Sequence, residues 1–434
     1  MDKQALEIVK KLYAKGFVAY YAGGWVRDKI LGLPSDDIDI ATNASPEDIQ
    51  KIFKKTFPKG AAFGVISVLM DKREYEVATF RKEGGYSDGR RPDNVEYTDA
   101  QGDATRRDFT INGMFYDPLQ EKVLDFVGGE HDLKKRIIRA IGDADTRFSE
   151  DKLRILRAVR FAANLDFDIE EKTKKAVKKM AREIHQVSFE RIRVELLKIL
   201  TGGRARKGFA LLDELGLLEE ILPDVLKMKG VEQPPEFHPE GDVFVHTMMM
   251  LGMLKKGVAD DFAFAVLLHD VGKPRTFSVK ERIRFDGHVE VGADMAVDIC
   301  KQLKFSNKAI DHIFELIRQH LKFKDVKKMR ESTLKRFLRQ DRFEDHLELH
   351  RIDCLCSHGS LESYEFCKEK LALFKKEKIK PTPLMGGKDL IKMGLKPGPF
   401  FKKILTYIED LQLEGKIKTK KQALEAAKQY SINK

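Results

Sequence analysis

Tyr20 to Thr42 reads YYAGGWVRDKILGLPSDDIDIAT. Asp37 and Asp39 stand two apart in DIDIAT, a predicted strand, and period two turns both carboxylates to one face. Like charges so close are costly unless a cation neutralises them. Mg²⁺ suits that task, because it takes carboxylate oxygens and keeps its other positions for water and phosphate. Two such ions can hold the attacking and leaving oxygens of a phosphoryl transfer. Gly23 and Gly24, at the end of the predicted strand FVAYYAGG, let backbone N–H groups approach a triphosphate. Arg27, one helical turn on, adds charge-assisted bonds to the same phosphates. Either element alone is as well a surface turn; together, in this order, they point to nucleotidyl transfer.

The flanking sequence has the pattern of a small α/β unit. Residues 1–16 form an amphipathic helix closed by Gly16, and WVRDKILG is a short helix ended by Gly32. Ser45 caps SPEDIQKIFKKTF, and AAFGVISVLMDKREYEVATFR alternates as a hairpin around Asp71–Arg73. Glu76, alternating with Tyr75 and Val77, is the candidate third carboxylate of the site, although an exposed strand Glu has the same pattern. From about Thr146 the strand signals stop. SEDKLRILRAVRFAANL, EEKTKKAVKKMAREI and ERIRVELLKILTG are amphipathic helices. The segment from Pro223 to Asp242, rich in Pro, Gly and charge, is the best internal linker.

The chain has 434 residues, 42% of them hydrophobic, 34% charged, and a net charge of +11. These values describe a globular protein of two to four domains, with a basic excess that favours polyanionic partners. Cys300, Cys354, Cys356 and Cys367 form no C-x-x-C pair and are expected to be reduced thiols of a cytoplasmic protein. The N-terminus lacks the apolar core of a signal peptide, and no apolar run of about 18 residues is present to span a membrane.

GGWVRD with DDIDIAT resembles the head of the class II tRNA nucleotidyltransferase and bacterial poly(A) polymerase family. FRKEGGYSDGRRPDNVEY, ATRRDFTINGMFYDP and RFSEDKLRILRAVRFA follow in the family's order and resemble its linking, ribose-reading and base-reading motifs. The resemblance implies that Asp108, with Arg106, Arg107 and Asn112, contacts the ribose and triphosphate. A carboxylate accepting from a 2′-OH and arginines clamping phosphate fit that role, while a surface ion-pair cluster is the plainer alternative. It implies too that Asp151 and Arg154 select C and A over G and U. Their i,i+3 spacing at a helix start puts acceptor and donor on one face, as it would for an ordinary ion pair. Arg154, Arg157 and Arg160 repeat every three residues, leaving room for one base-reading arginine and others on phosphate or structural partners. Arg81 to Pro92, with Gly84, Gly85 and Gly89, resembles a complete linking segment and argues against a CC-only enzyme. CCA addition, A addition and poly(A) tailing stay open.

VFVHTMMM, LLHDVGK, FDGHVEVG, IRQHLKF and LHRIDCL come next. They set His246, the dyad His269-Asp270, His288, His320 and Asp353 along a predicted all-helical stretch. His and Asp ligands suit a divalent metal whose bound water attacks a phosphate ester. The pattern resembles the HD phosphohydrolase superfamily, with Lys273 adding charge toward a phosphate; an HD fold kept only to bind RNA is the alternative. Beyond it, Lys402 and Lys403 can face RNA, and Phe400 and Phe401 fit a core.

The expected fold is α+β: an α/β nucleotidyltransferase head (1–140), an all-α neck and body (141–222), an all-α HD domain (236–370) and a basic helical tail (371–434). The expected reaction moves CMP and AMP from CTP and ATP to the 3′ end of tRNA, with Mg²⁺ in the head and a divalent metal in the HD domain. A metal phosphohydrolase with a regulatory nucleotide-binding head is the rival from another class.

Overall fold

The structure is a computed structural model that describes residues 2–60, 64–85, 94–375 and 382–432. Gly89 and Pro92 of the linking segment lie outside the described residues. The chain divides into two compact units. One comprises Met1–Leu226 with Leu254–Ala263 and Ile299–Phe305; the other comprises Lys227–Met253, Phe264–Asp298 and Ser306–Lys434.

The first unit opens with α1 (Lys3–Tyr13), β1 (Ala19–Ala22), α2 (Gly24–Ile30), β2 (Asp39–Thr42) and α3 (Pro46–Ile52). Asp2 caps α1 by accepting from Gln4 and Ala5, and Ser45 caps α3 by accepting from Asp48, so the helix starts are set by short polar side chains. Next come β3 (Thr56–Gly60), β4 (Val65–Met70), β5 (Arg73–Thr79), β6 (Arg81–Gly84) and β7 (Asn94–Tyr97). The β4–β5 turn is Asp71-Lys72, both at positive φ. That is the hairpin the alternation predicts. Then follow α4 (Ala100–Thr105), β8 (Phe115–Asp117), β9 (Lys122–Leu124) and α5 (Gly129–Lys135). Seven strands form one sheet in the order β3-β4-β5-β2-β1-β8-β9, with β2 and β5 parallel and the other neighbours antiparallel.

DIDIAT is only partly a strand. β2 begins at Asp39, and Asp37 and Ile38 precede it without ladder bonds. The alternation nevertheless holds, since Asp37 and Asp39 are exposed while Ile38 and Ile40 are buried.

The rest of this unit is nearly all helical. β10 (Ile137–Ile138) pairs in parallel with β11 (Asp168–Ile169), the latter in the stretch predicted to have no strands. α6 (Ala144–Glu150) and α7 (Leu153–Leu165) are separate helices. The helix predicted to start at Ser149 begins instead at Leu153, because Asp151 has extended backbone (φ −144°, ψ 105°). α8 (Glu171–Lys179), α9 (Phe189–Leu200), α10 (Ala205–Glu214), α11 (Leu217–Ile221) and α12 (Pro223–Leu226) follow, with α7 packed on α9 and α10.

The second unit contains α13 (Val243–Gly252), and α14 (Asp260–Leu268) crosses into it. A short α15 (Lys273–Thr276) and a small hairpin, β12 (Ser278–Val279) and β13 (Ile283–Arg284), interrupt the predicted all-helical stretch. α16 (His288–Gln302), α17 (Asn307–Gln319), α18 (Glu331–Leu338), α19 (Phe343–Cys356) and α20 (Glu362–Lys375) follow. α21 (Gly387–Lys392), α22 (Pro399–Leu413) and α23 (Lys420–Ile432) close around Leu390, Ile404, Ile408 and Ala427, with Phe400 and Phe401 packed against that core.

Candidate active site and metal centre

Three carboxylates converge at the centre of the head sheet. Asp39 sits opposite Ala22 of β1. The parallel pairing of Ile40 with Val77 brings Glu76 of β5 alongside Asp39, and Asp37 is two residues earlier on the same face. The Asp39 carboxyl is pushed up to about 6. Crowding by protein is the main cause, although the residue is accessible; repulsion from Asp37 and Glu76 adds to it, and Arg107 opposes it.

Gly23 stands over this cluster at φ +67°, and a Cβ there would lie 3.2 Å from Arg107 Nη1 and 3.9 Å from Asp39 Oδ2. Its lack of a side chain lets the backbone approach the acids. Gly24 starts α2 without needing a glycine conformation. Arg73 donates to the Asp36 carbonyl and to Asp2 Oδ2 (2.6 Å), tying the segment before Asp37 to the helix cap.

Arg107 and Arg106 are both held by Asp103, a buried carboxylate on α4. Arg106 Nε donates to Oδ1 at 2.8 Å, and Arg107 Nε and Nη2 donate to Oδ2 at 3.1 and 3.0 Å. These ion pairs outweigh burial and hold Asp103 below the usual carboxylate range. Arg27 donates from Nε to Asp28 and from Nη1 to Asn112 Oδ1, each at 2.8 Å. Asn112 Nδ2 donates to Asp108 Oδ1 (3.2 Å), and Arg157 donates to Asp108 Oδ2 from Nε (2.8 Å) and Nη2 (2.5 Å). Arg27, Arg157 and Arg160 also surround the Phe161 ring, with guanidinium carbons 5.3, 5.3 and 4.2 Å from its centroid.

Asp151 and Arg154 do not form the expected i,i+3 pair, because Asp151 lies in the break between α6 and α7. Asp151 accepts from Arg191 Nη2 of α9 at 2.8 and 3.1 Å and from the Leu153 N–H. Arg154 Nη1 instead donates to Glu150 (2.5 Å) and to the Arg147 carbonyl, and its Nη2 donates to the Arg106 carbonyl.

In the second unit all six predicted ligands meet. His246 comes from α13, His269-Asp270 follow α14, His288 opens α16, His320 ends α17 and Asp353 lies on α19. Ligand atoms of His246, His269 and Asp353 lie within 4.8 Å of one another, as do those of Asp270, His288 and His320. Gly272 brings the dyad to α16: a Cβ there would be 2.2 Å from the His288 carbonyl and 2.6 Å from the Gly292 nitrogen.

Three imidazoles are oriented alike. Nδ1 of His269, His288 and His320 pairs with the carbonyl three residues earlier, at 2.8, 2.7 and 2.6 Å, which turns each Nε2 inward. Nε2 of His269 and of His288 and Oδ1 of Asp270 are buried with no hydrogen-bond partner among the described residues. Polar atoms desolvated without partners are costly. A divalent metal satisfies this donor set of neutral imidazole nitrogens and carboxylate oxygens. Burial alone would raise Asp270, but His269, Lys273 and His288 hold it well below the usual range. Burial pushes His320 down to about 4 and also lowers His288, favouring the neutral, ligating form.

Family models match the chain in three consecutive stretches. Residues 19–139 match the poly A polymerase head domain, 166–228 match the "Probable RNA and SrmB- binding site of polymerase A", and 243–351 match the HD domain. The chain thus carries, in order, a poly A polymerase head domain, a polymerase A RNA-binding region and an HD domain. Relatives include a CCA-adding enzyme of Ligilactobacillus salivarius, 46% identical over 207 residues, 48% of this chain and 51% of that protein. That of Latilactobacillus sakei is 40% identical over 255 residues, 57% of this chain and 64% of that protein. The matched region thus spans about half to two thirds of these curated relatives' length. Among solved structures, the CCA-adding enzyme of Bacillus stearothermophilus in complex with CTP superposes with a TM-score of 0.76 at 26% identity, covering 100% of both chains. The Thermotoga maritima CCA-adding enzyme complexed with tRNA(CCA) shares the fold with a TM-score of 0.59 at 21% identity, covering 98% of this chain and 95% of that one.

Several site residues escaped the sequence reading. Asp103, three and four residues before Arg106 and Arg107, carried a legible helix-pair signal. Arg191 and Phe161 gave none. Glu240 and His238 fell in the segment read as a linker, yet Glu240 Oε1 lies 2.6 Å from His246 Nδ1 and 2.8 Å from His238 Nδ1. That segment belongs to the centre it precedes.

Proposed function

We propose that the chain is a CCA-adding tRNA nucleotidyltransferase, transferring CMP and AMP from CTP and ATP to the 3′ end of tRNA. The convergence of Asp37, Asp39 and Glu76 beneath Gly23 carries this reading. Three carboxylates gathered on one face, with Asp39 pushed up to about 6 first by burial and then by repulsion from Asp37 and Glu76, call for a bound cation. Bound there, Mg²⁺ supplies charge neutralisation for an in-line phosphoryl transfer and lowers the pKa of the attacking hydroxyl. Asp37 and Asp39 hold it, and Glu76 is the third carboxylate. Gly23, Gly24, Arg27, Arg106 and Arg107 take the triphosphate, and Asp108, Asn112 and Arg157 face the ribose. Asp151 and Arg154 select the base. The basic surface holds tRNA through salt-sensitive phosphate contacts. We assign the head to 1–140, the neck and body to 141–222, the HD domain to 236–370 and the tail to 371–434. Four cysteines that form no disulfide fit a cytoplasmic protein.

Single-nucleotide incorporation on a tRNA lacking CCA, a tRNA ending in CC and an unrelated RNA tests the reading. C added to the first and A to the second, with no growth on the third, is expected. A added only to the CC-ended tRNA would make it an A-adding enzyme, and long tails on any RNA a poly(A) polymerase.

A second activity is favoured by the unpartnered ligand atoms of the HD centre. We propose that His246, His269, Asp270, His288, His320 and Asp353 hold divalent metal for phosphoester hydrolysis. Lys273, paired with Asp270 at 2.7 Å, adds positive charge beside the acid. Hydrolysis that survives Asp37→Ala with Asp39→Ala but not Asp270→Ala would separate the two sites.

A further inference from the structure

The four histidines of the metal centre are not equivalent. Three lean on a carbonyl of their own helix or turn, as described. His246 alone has a carboxylate behind it: Glu240 Oε1 lies 2.6 Å from its Nδ1, while its Nε2 faces Asp353 Oδ1 at 3.1 Å. His246 is 0% exposed and the Glu240 side chain 5%, so the approach is shielded from water.

Glu240 is held in place from several directions. Gln233 N–H donates to the Gly241 carbonyl (2.9 Å) and Val243 N–H to the Val231 carbonyl (3.0 Å), closing the segment upon itself. Lys273 Nζ donates to Gln233 Oε1 (2.6 Å), and Asp242 Oδ1 caps α13 through Val245 N–H (2.9 Å). The second contact of Glu240, to His238 Nδ1, is 2.8 Å.

His238, Glu240 and His246 are close enough to suggest an ion of their own. The spacing argues otherwise. Two ligands that each sit about 2.1 Å from one ion stand roughly 3 Å or more apart. Separations of 2.6 and 2.8 Å are shorter than that, the 2.8 Å contact being a hydrogen bond to His238 and the 2.6 Å contact a close ion-pair approach to His246. A carboxylate behind a ligating imidazole fixes its tautomer and raises its basicity as a ligand.

We propose that Glu240 is a positioning residue for His246, and that it makes the His246–His269–Asp353 subsite the tighter of two metal subsites. Asp270, His288 and His320, with no carboxylate behind either imidazole, form the weaker one. This inference rests on the HD centre being a metal site.

The test uses the full chain carrying Asp37→Ala and Asp39→Ala, so that the head contributes no ion. Co²⁺ is titrated in, and the visible absorption of imidazole-bound cobalt is followed. The parent should bind in two steps. Glu240→Ala should weaken the tighter step by roughly 10- to 100-fold and leave the other unchanged. Glu240→Gln, which keeps an acceptor oxygen without the charge, should fall between them, and it carries the test if the alanine variant does not fold. His246→Ala should abolish the same step. Equal weakening of both steps, or a parent-like titration of both Glu240 variants, would overturn the proposal. So would a third equivalent lost with His238→Ala. A parent that binds no Co²⁺ would instead remove the metal reading itself, a result distinct from intact binding in the variants.

Discussion

Arg157 grips Asp108 through one carboxylate oxygen, Nε at 2.8 Å and Nη2 at 2.5 Å, while the other oxygen accepts from Phe109 N–H and Asn112. Each Asp108 oxygen thereby accepts two hydrogen bonds within the protein. Burial works against its ionisation, yet Arg157 and these hydrogen bonds hold it down to about 2. A carboxyl whose folded value lies below its unfolded value of about 3.9 stabilises the fold above that pH. The contribution, on the order of 2 kcal/mol, is lost as pH falls from about 4 towards 2. Asp108→Asn should therefore lower stability by about 2–4 kcal/mol at pH 7, since it also strands the arginine. The deficit should shrink at pH 3. Denaturant unfolding followed by fluorescence of Trp25, the sole tryptophan and a head residue, measures it.

Asp39 has the opposite sign. Its folded value of about 6 lies above the unfolded one, so ionisation costs stability as pH rises from about 4 to 6. Without metal, Asp39→Asn should match the parent at pH 4 and exceed it at pH 8 by about 1 kcal/mol, discounted for solvent screening. With Mg²⁺ the order should reverse at pH 8. Thermal melts at the two pH values, with and without Mg²⁺, decide it. Loss of nucleotide incorporation by the same variant should be on the order of a thousandfold or more.

Gly23→Ala places a methyl beside Arg107 Nη1 in left-handed backbone. The strain should cost about 1–2 kcal/mol. Displacement of Arg107 should raise KM for the nucleotide, while KM for tRNA stays near its parent value. Steady-state kinetics with each substrate varied in turn separates the two.

In the HD centre, metal and fold should be linked. At a hundredfold excess over its dissociation constant, a bound ion adds about 2.7 kcal/mol. Mn²⁺ should raise the melting temperature of the second unit in the parent and raise it less in Asp270→Ala, which keeps only the His246–His269–Asp353 subsite. An equal rise in both would place the ion elsewhere.

The head was legible where local chemistry and tertiary pairing agree. Asp37 and Asp39 alternate with buried Ile38 and Ile40, Ser45 caps its helix, and Asp71-Lys72 turn the hairpin. The six candidate metal ligands could be read in order because imidazoles and carboxylates are rare on apolar helices. Periodicity misled at Asp151, where the apolar repeat runs through a break stabilised by Arg191, forty residues away. It misled again at Glu240, whose Pro- and Gly-rich surroundings have linker composition but are pinned by long-range hydrogen bonds. Neither signal is contained in a window of one helix turn.

The path Arg27–Asn112–Asp108–Arg157 runs unbroken from the helix after the glycine turn to the middle of α7. It behaves as a strut. A residue grafted into α7 from a relative arrives with a length and angle matched to its own donor and acceptor partners. The four positions are therefore expected to be exchangeable as a set, and chimaeras whose junction falls between Arg27 and Arg157 should be harder to make than those cut outside that span.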